Sequence, residues 1–146
     1  KENMILIELV PNLWLGDQES VNYKEKLKIN AVINCSKDLH FLGNYQEYRI
    51  NIKNTLEKYE IIKMYEYMVE TVEFIYKNLS NDKNVLVYCE NANQKSATIC
   101  AAFLIKYGKI DKDNAIKSIR SKQRAAFYPD IDYGMSLDMY AKENLN

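Results

Sequence analysis

Between Tyr59 and Leu79 the apolar positions Ile61, Tyr65, Met68, Val72, Ile75 and Leu79 recur at steps of four, three, four, three and four. That spacing marks one face of a long amphipathic helix, which Ser80-Asn81-Asp82 ends. Before it the pattern is different. Ile5 to Val10 and Leu13 to Gly16 read as two short apolar strands broken at Pro11-Asn12, which opens the chain with a hairpin or meander. A polar stretch through Lys24 to Leu27 reads as helical. Ala31-Val32-Ile33-Asn34-Cys35 is then a continuous β-favouring run of the kind buried on both faces of a parallel sheet, and Tyr48 to Ile52 alternates as a fourth strand. After the long helix, Asn84 to Tyr88 is the most apolar short run. It passes without a spacer into the polar loop Cys89 to Lys95 and a helical stretch from Ser96 to Lys106, closed by Gly108. Asp111 can cap one further helix and Asp130 another.

Strands alternating with helices predict an α/β fold: a central, mostly parallel sheet of about four or five strands, covered on both faces, with its ligand site beyond the carboxyl ends of the strands. The loop after Tyr88 lies at such an end. The 146 residues, of which 47% are hydrophobic, suffice for one core and are too few for two ordinary domains, so residues 1–146 read as a single domain.

Charge narrows the function. Twenty basic and twenty acidic residues balance, which argues against a nucleic-acid or acidic-membrane partner and leaves any electrostatic role local. No apolar run is long enough to cross a bilayer and Lys1-Glu2-Asn3 does not start a secretory signal, so the expectation is an intracellular, cytoplasmic protein. Cys35, Cys89 and Cys100 are odd in number and widely spaced, with His40 the sole histidine. A disulfide framework or a zinc site is not expected, and no metal or cofactor is called for. Cys35 and Cys100 read as core filling, His40 as a surface residue, and Lys58, Lys63 and Lys77 as a solvated helix face.

Cys89 is different because of where it sits. A strand, a polar loop and a helix N-terminus converge unpaired amides and the positive end of a helix dipole, which favour an anion. A thiol that opens such a loop is favoured as the nucleophilic thiolate. Glu90, Asn91, Ala92, Asn93 and Gln94 would form the binding loop, Lys95 would bring a charge at the first helical turn, and Ser96 could hydrogen-bond the sulfur.

These residues carry a family resemblance. Val85-Leu86-Val87-Tyr88-Cys89, five intervening residues, then Lys95-Ser96-Ala97 resemble the cysteine phosphatase signature Val-His-Cys-x-x-Gly-x-x-Arg-Ser. Asn12-Leu13-Trp14-Leu15-Gly16-Asp17 is similar to the opening Asn-Leu-Tyr-Leu-Gly of dual-specificity phosphatases, and Ala31-Val32-Ile33-Asn34 to their Val-Leu-Asn strand. Pro129-Asp130-Ile131-Asp132-Tyr133 resembles their Pro-Asn-x-Gly-Phe, which packs beneath the phosphate loop. The resemblance spans nearly the whole chain and implies a dual-specificity phosphatase-like fold. It also implies departures: Tyr88 stands for the loop-supporting histidine, Ala92 for glycine, Lys95 for the arginine that clamps phosphate, and Asn54 for the general-acid aspartate. If the glycine has positive φ, alanine there costs on the order of 1 kcal/mol and could reorganise the loop. With Asp130 as further loop support, these substitutions predict a pseudophosphatase that binds a phosphorylated protein or peptide, or docks a protein partner, with little turnover. The alternatives are a slow but genuine phosphatase using a Cys89 thiolate, and a structural partner protein that binds no phosphate.

Overall fold

The computed structural model describes residues 4–40, 43 and 45–144. Strands β1 (Leu6–Val10) and β2 (Leu13–Gly16) form the opening hairpin, with Asn12 taking the left-handed conformation that so tight a reversal requires. Strands β3 (Ile29–Asn34), β4 (Gln46–Arg49) and β5 (Asn84–Tyr88) complete a five-stranded sheet in the order β1-β2-β5-β3-β4. Only the β1–β2 pair is antiparallel. Strand β5, the most apolar run of the sequence, is therefore central and hydrogen-bonded on both sides, and its carboxyl end lies between those of β2 and β3.

Helix α1 (Lys58–Ser80) realises the long periodic segment, α2 (Lys95–Tyr107) the helix after the polar loop, and α3 (Lys112–Lys122) and α4 (Gly134–Asn144) follow. All four contribute to one core, in which Met68, Val72 and Ile75 of α1, Ile99 and Phe103 of α2, Ile119 of α3 and Leu137 of α4 join Leu15, Ile33 and Val87 of the sheet. The opposite face is smaller. There Val32, Leu86 and Tyr88 are covered by Val21, Leu27, Leu39 and Tyr45 from short segments. The sheet is thus covered on both faces, but its α-helices share one side.

Several sequence expectations shift locally. The polar stretch Lys24 to Leu27 is turn, preceded by a 3₁₀ helix at Gln18–Tyr23 that Asp17 caps by accepting from the amides of Glu19 and Ser20. The fourth strand lies earlier than Tyr48 to Ile52. After Ile50 donates its amide to Asn34 O at 2.8 Å the chain leaves the sheet, while Ile50 and Ile52 stay buried. Alternating burial continued past the ladder and imitated strand. Asp111 caps α3 through Asn114 N at 2.9 Å, as expected. Asp130 does not cap α4, which begins four residues later. Gly108 closes α2 as expected, with a right-handed φ of −81° and left-handed Lys109 after it, and a Cβ at Gly108 would lie 2.5 Å from Leu104 O.

Cys35 and Cys100 are fully buried core residues, and His40 is exposed. Lys58 and Lys77 are exposed and Lys63 is half-buried. No described helix is long and apolar enough to cross a membrane, and no metal-holding group of His, Cys, Asp or Glu occurs among the described residues.

Candidate active site

The site begins where β5 runs out of partners. Tyr88 O accepts from Cys35 N at 2.8 Å on the β3 side, and Cys89 N donates to Gly16 O at 3.3 Å on the β2 side. Gly16 has no room for a side chain, because a Cβ would sit 2.2 Å from Ser20 Oγ. Beyond Cys89 the chain is released from the sheet and turns through Glu90 to Gln94 before α2 starts at Lys95. No side chain caps the N-terminus of α2, so its first-turn amides are left for the loop and its contents.

Ala92 sets the turn. It is fully buried with φ of 65°, the left-handed conformation that glycine adopts without strain. The loop thus holds an alanine in a conformation that glycine would adopt without strain. The hold comes from behind. Gln123 Nε2 donates to Ala92 O at 3.3 Å and to Asn93 Oδ1 at 2.8 Å, and Phe127 N donates to Asn93 O at 2.8 Å. Gln94 Nε2 donates to Asp130 O at 2.9 Å, while Gln94 Oε1 accepts from Asp132 N at 3.1 Å. Arg120 in turn donates to the carbonyls of Ala126 and Phe127. The segment from Gln123 to Asp132 thus braces the loop, with Asp130 acting through its backbone carbonyl.

The front of the loop encloses a pocket of about 300 Å³ lined by Asn54, Cys89, Glu90, Asn91, Gln94, Lys95 and Asp132. Cys89 Sγ lies 3.0 Å from Ser96 Oγ, which is fully buried behind it. Lys95 is buried and its Nζ donates to Ile52 O at 3.1 Å. Asn54 lines the same pocket from an exposed turn. That turn is tied to α1 by the buried Glu60, whose Oε1 accepts from Lys53 N at 3.2 Å. Glu90 Oε2 accepts from Ser36 Oγ at 2.7 Å, and Asn91 Oδ1 accepts from Asn93 N at 3.0 Å, so one loop amide is already satisfied from within.

Of the residues expected at the site, Cys89, Lys95, Asn54, Glu90, Asn91 and Gln94 share the pocket wall. Ala92, Asn93, Ser96 and Asp130 stand behind it. Tyr88 points the other way, into the smaller core on the far face of the sheet. Its hydroxyl is buried near Glu47, Arg49 and Asn34 without a well-formed hydrogen bond, and burial pushes its ionisation far up.

Asp132, Gln123 and Ser36 were not anticipated. Asp132 is the consequential one, since it stands where the resembling motif has glycine and so projects a carboxyl where no side chain was expected. Burial, aided by Asp130, pushes its acidity to higher pH. The pocket wall therefore holds two carboxyl groups, Glu90 and Asp132, against one ammonium, Lys95.

A family model described as "Dual specificity phosphatase, catalytic domain" matches residues 13–143. Human dual specificity protein phosphatase 1 is 28% identical over 132 residues, covering 87% of this chain and 35% of the relative, so the chain spans about a third of that relative's length. Among solved structures, human DUSP28 superposes with a TM-score of 0.82 at 19% identity over 94% of this chain and 93% of the other. Human tyrosine phosphatase-like serine/threonine/tyrosine-interacting protein gives 0.78 at 17% over 94% and 95%.

Proposed function

We propose, starting from the fact that this chain belongs to the family of dual specificity phosphatase catalytic domains, that it acts as a pseudophosphatase. It receives a phosphorylated side chain of a protein or peptide, or docks a protein partner at the same loop, and turns it over poorly or not at all. Its setting is intracellular, in the cytoplasm.

The observation that carries this reading is the pairing of a retained loop with displaced chemistry. Ala92 at φ of 65° and Cys89 against Ser96 keep the form of an anion cradle. Facing them, Lys95 has its ammonium on the Ile52 carbonyl and Asn54 has no acidic proton to give. Lysine supplies a point charge in place of the planar guanidinium fork that matches three equatorial oxygens. The loss of one preorganised donor costs roughly 10²–10³ in rate, and the loss of a general acid roughly 10²–10⁴. Either alone leaves a very poor enzyme.

One observation favours a second reading, a slow hydrolase in which Cys89 attacks phosphorus. The Asp132 carboxyl lines the same pocket, and burial holds its proton more tightly than usual, which is the direction that suits a proton donor. Hydrolysis of an aryl phosphate by the wild type, Cys89→Ser and Asp132→Asn separates the two. Pseudophosphatase behaviour requires turnover at least ~10³-fold below an intact family member, from the donor and acid losses above. Turnover within tenfold of an intact enzyme that Cys89→Ser abolishes would overturn it.

A further inference from the structure

Next to the loop pocket the surface opens into an apolar groove of about 500 Å³, formed by Leu56 before α1, Ile61 and Ile62 on its first turns, and Met135 and Met139 on α4, with Lys58 at the rim. Four of these apolar side chains are unusually open to solvent: Leu56 at 41%, Ile62 at 37%, Met135 at 69% and Met139 at 38%. The groove and the loop pocket are joined. A shallow hollow between them is lined by Asp132, which also lines the loop pocket, and by Leu56, Ile61 and Met135, which also line the groove.

The turn that carries Asn54 into the pocket carries Leu56 into the groove. Leu56 has φ of 60°, a conformation that bulky side chains rarely adopt and that folded proteins tolerate mainly where a side chain must be aimed. Two methionines supply a deformable floor of the kind that accepts apolar side chains of varied shape.

We infer that this groove is a specificity site for a partner polypeptide: an extended segment that places its phosphorylated side chain in the loop pocket lays a bulky apolar side chain from a nearby position between α1 and α4. The inference rests on the phosphate-binding reading of the loop. A second copy of the chain is the poorer occupant, since four partly exposed side chains fall well short of the roughly 800 Å² per partner that a stable interface buries. Continuity with the loop pocket favours a single segment that spans both. Along the connecting hollow Lys112 and Asp138 pair at 2.8 Å, which leaves the Asp132 carboxyl as its remaining charged group.

The test uses short alanine-based phosphotyrosine peptides in which one phenylalanine is moved position by position, each also made without phosphate, with binding followed by fluorescence anisotropy. Burial of one phenyl ring should tighten binding about tenfold at one or two positions, and only there. Met135→Lys and, separately, Met139→Lys should erase that gain and return the peptide to the affinity of its all-alanine parent. Uniform binding at every phenylalanine position, a gain that survives both lysine variants, or no binding of any peptide would overturn the groove. The phosphate arm reports separately: a lysine-sensitive phenylalanine gain that is equal with and without phosphate supports the groove and refutes phosphate binding by the loop. Phosphate-dependent binding with no positional preference does the reverse.

Discussion

Introduction of the arginine and the acid that the family motif carries is the most demanding check on the site, and the structure changes which residues such a repair should include. Lys95→Arg replaces an ammonium whose hydrogen bond goes to Ile52 O at 3.1 Å with a guanidinium that has five donors, enough to keep one such contact and present a fork to phosphate. Asn54→Asp places a carboxyl on the pocket wall. The donor term is worth roughly 10²–10³ and the acid term roughly 10²–10⁴, and because both act on one transition state they are not additive. The expected result is little gain from either single repair and at least ~10³-fold from the pair. Tyr88→His, which the motif alone would add, should be left out. Tyr88 is 1% exposed in the far core, and a smaller polar ring there costs about 2 kcal/mol or more with no contact to the pocket. The assay is aryl phosphate hydrolysis by each variant, with Cys89→Ser as the control and thermal melting to confirm folding. A folded double variant that gains less than tenfold would refute the assignment of Lys95 and Asn54 to the arginine and acid slots.

Three further outcomes follow from the same geometry. Ala92→Gly should alter stability by less than about 1 kcal/mol, because relief of the left-handed strain is offset by the lost buried methyl, whereas Ala92→Val should destabilise by about 2 kcal/mol or more; denaturant melts of both decide. Asp132 holds its proton more tightly folded than unfolded, so its contribution to stability is full at acid pH and is lost as pH rises through the raised folded value. The melting temperature of Asp132→Asn should therefore climb relative to wild type as pH rises above ~4, and its affinity for inorganic phosphate at pH 7 should be several-fold higher because one carboxylate leaves the pocket. Gln123→Leu strips two hydrogen bonds from the back of the loop and leaves Ala92 O and Asn93 Oδ1 short of partners, which should cost about 1–3 kcal/mol and weaken phosphate binding in titration calorimetry.

What could be read from sequence divides along a physical line. Elements that depend on periodicity were legible: α1 falls within one residue of the expected Tyr59 to Leu79 at either end, and β5, the loop and α2 follow in the order their polarity dictates. Features set by local exclusion were not. Gly108 was expected to close α2 and does, but the reason is spatial, since Leu104 O leaves no room for a Cβ there. Asp130 looked like a cap because it follows proline, yet its carbonyl serves Gln94. Lys95 was expected to bring its charge to the loop from the first helical turn, but the hydrogen-bond partner of its ammonium, Ile52 O, is 43 residues away in sequence, and no spacing rule connects them. Asp132 stands where the resembling motif has glycine, and a carboxyl at a place where that motif has no side chain is the signal the sequence carries for it.

The residues that shape the loop and the residues that would use it belong to different networks, which explains how one set can persist while the other drifts. The loop is held from behind by Gln123, Phe127 and Gln94, and from the strands by Gly16 and Tyr88, through contacts buried in or beside the main core. Loss of any of these exposes or orphans buried polar groups, a cost paid in folding whether or not the protein catalyses anything. Asn54, by contrast, is exposed on a turn, where substitution carries little folding penalty, and Lys95, though buried, is tied to the fold by its contact with the Ile52 carbonyl and not by the network behind the loop. On the pocket wall itself, Glu90 and Asp132 outnumber Lys95. A lysine among carboxyl groups suits a transition state that spreads negative charge over phosphate oxygens less well than an arginine fork would, and the proposal of recognition with poor turnover rests on that difference.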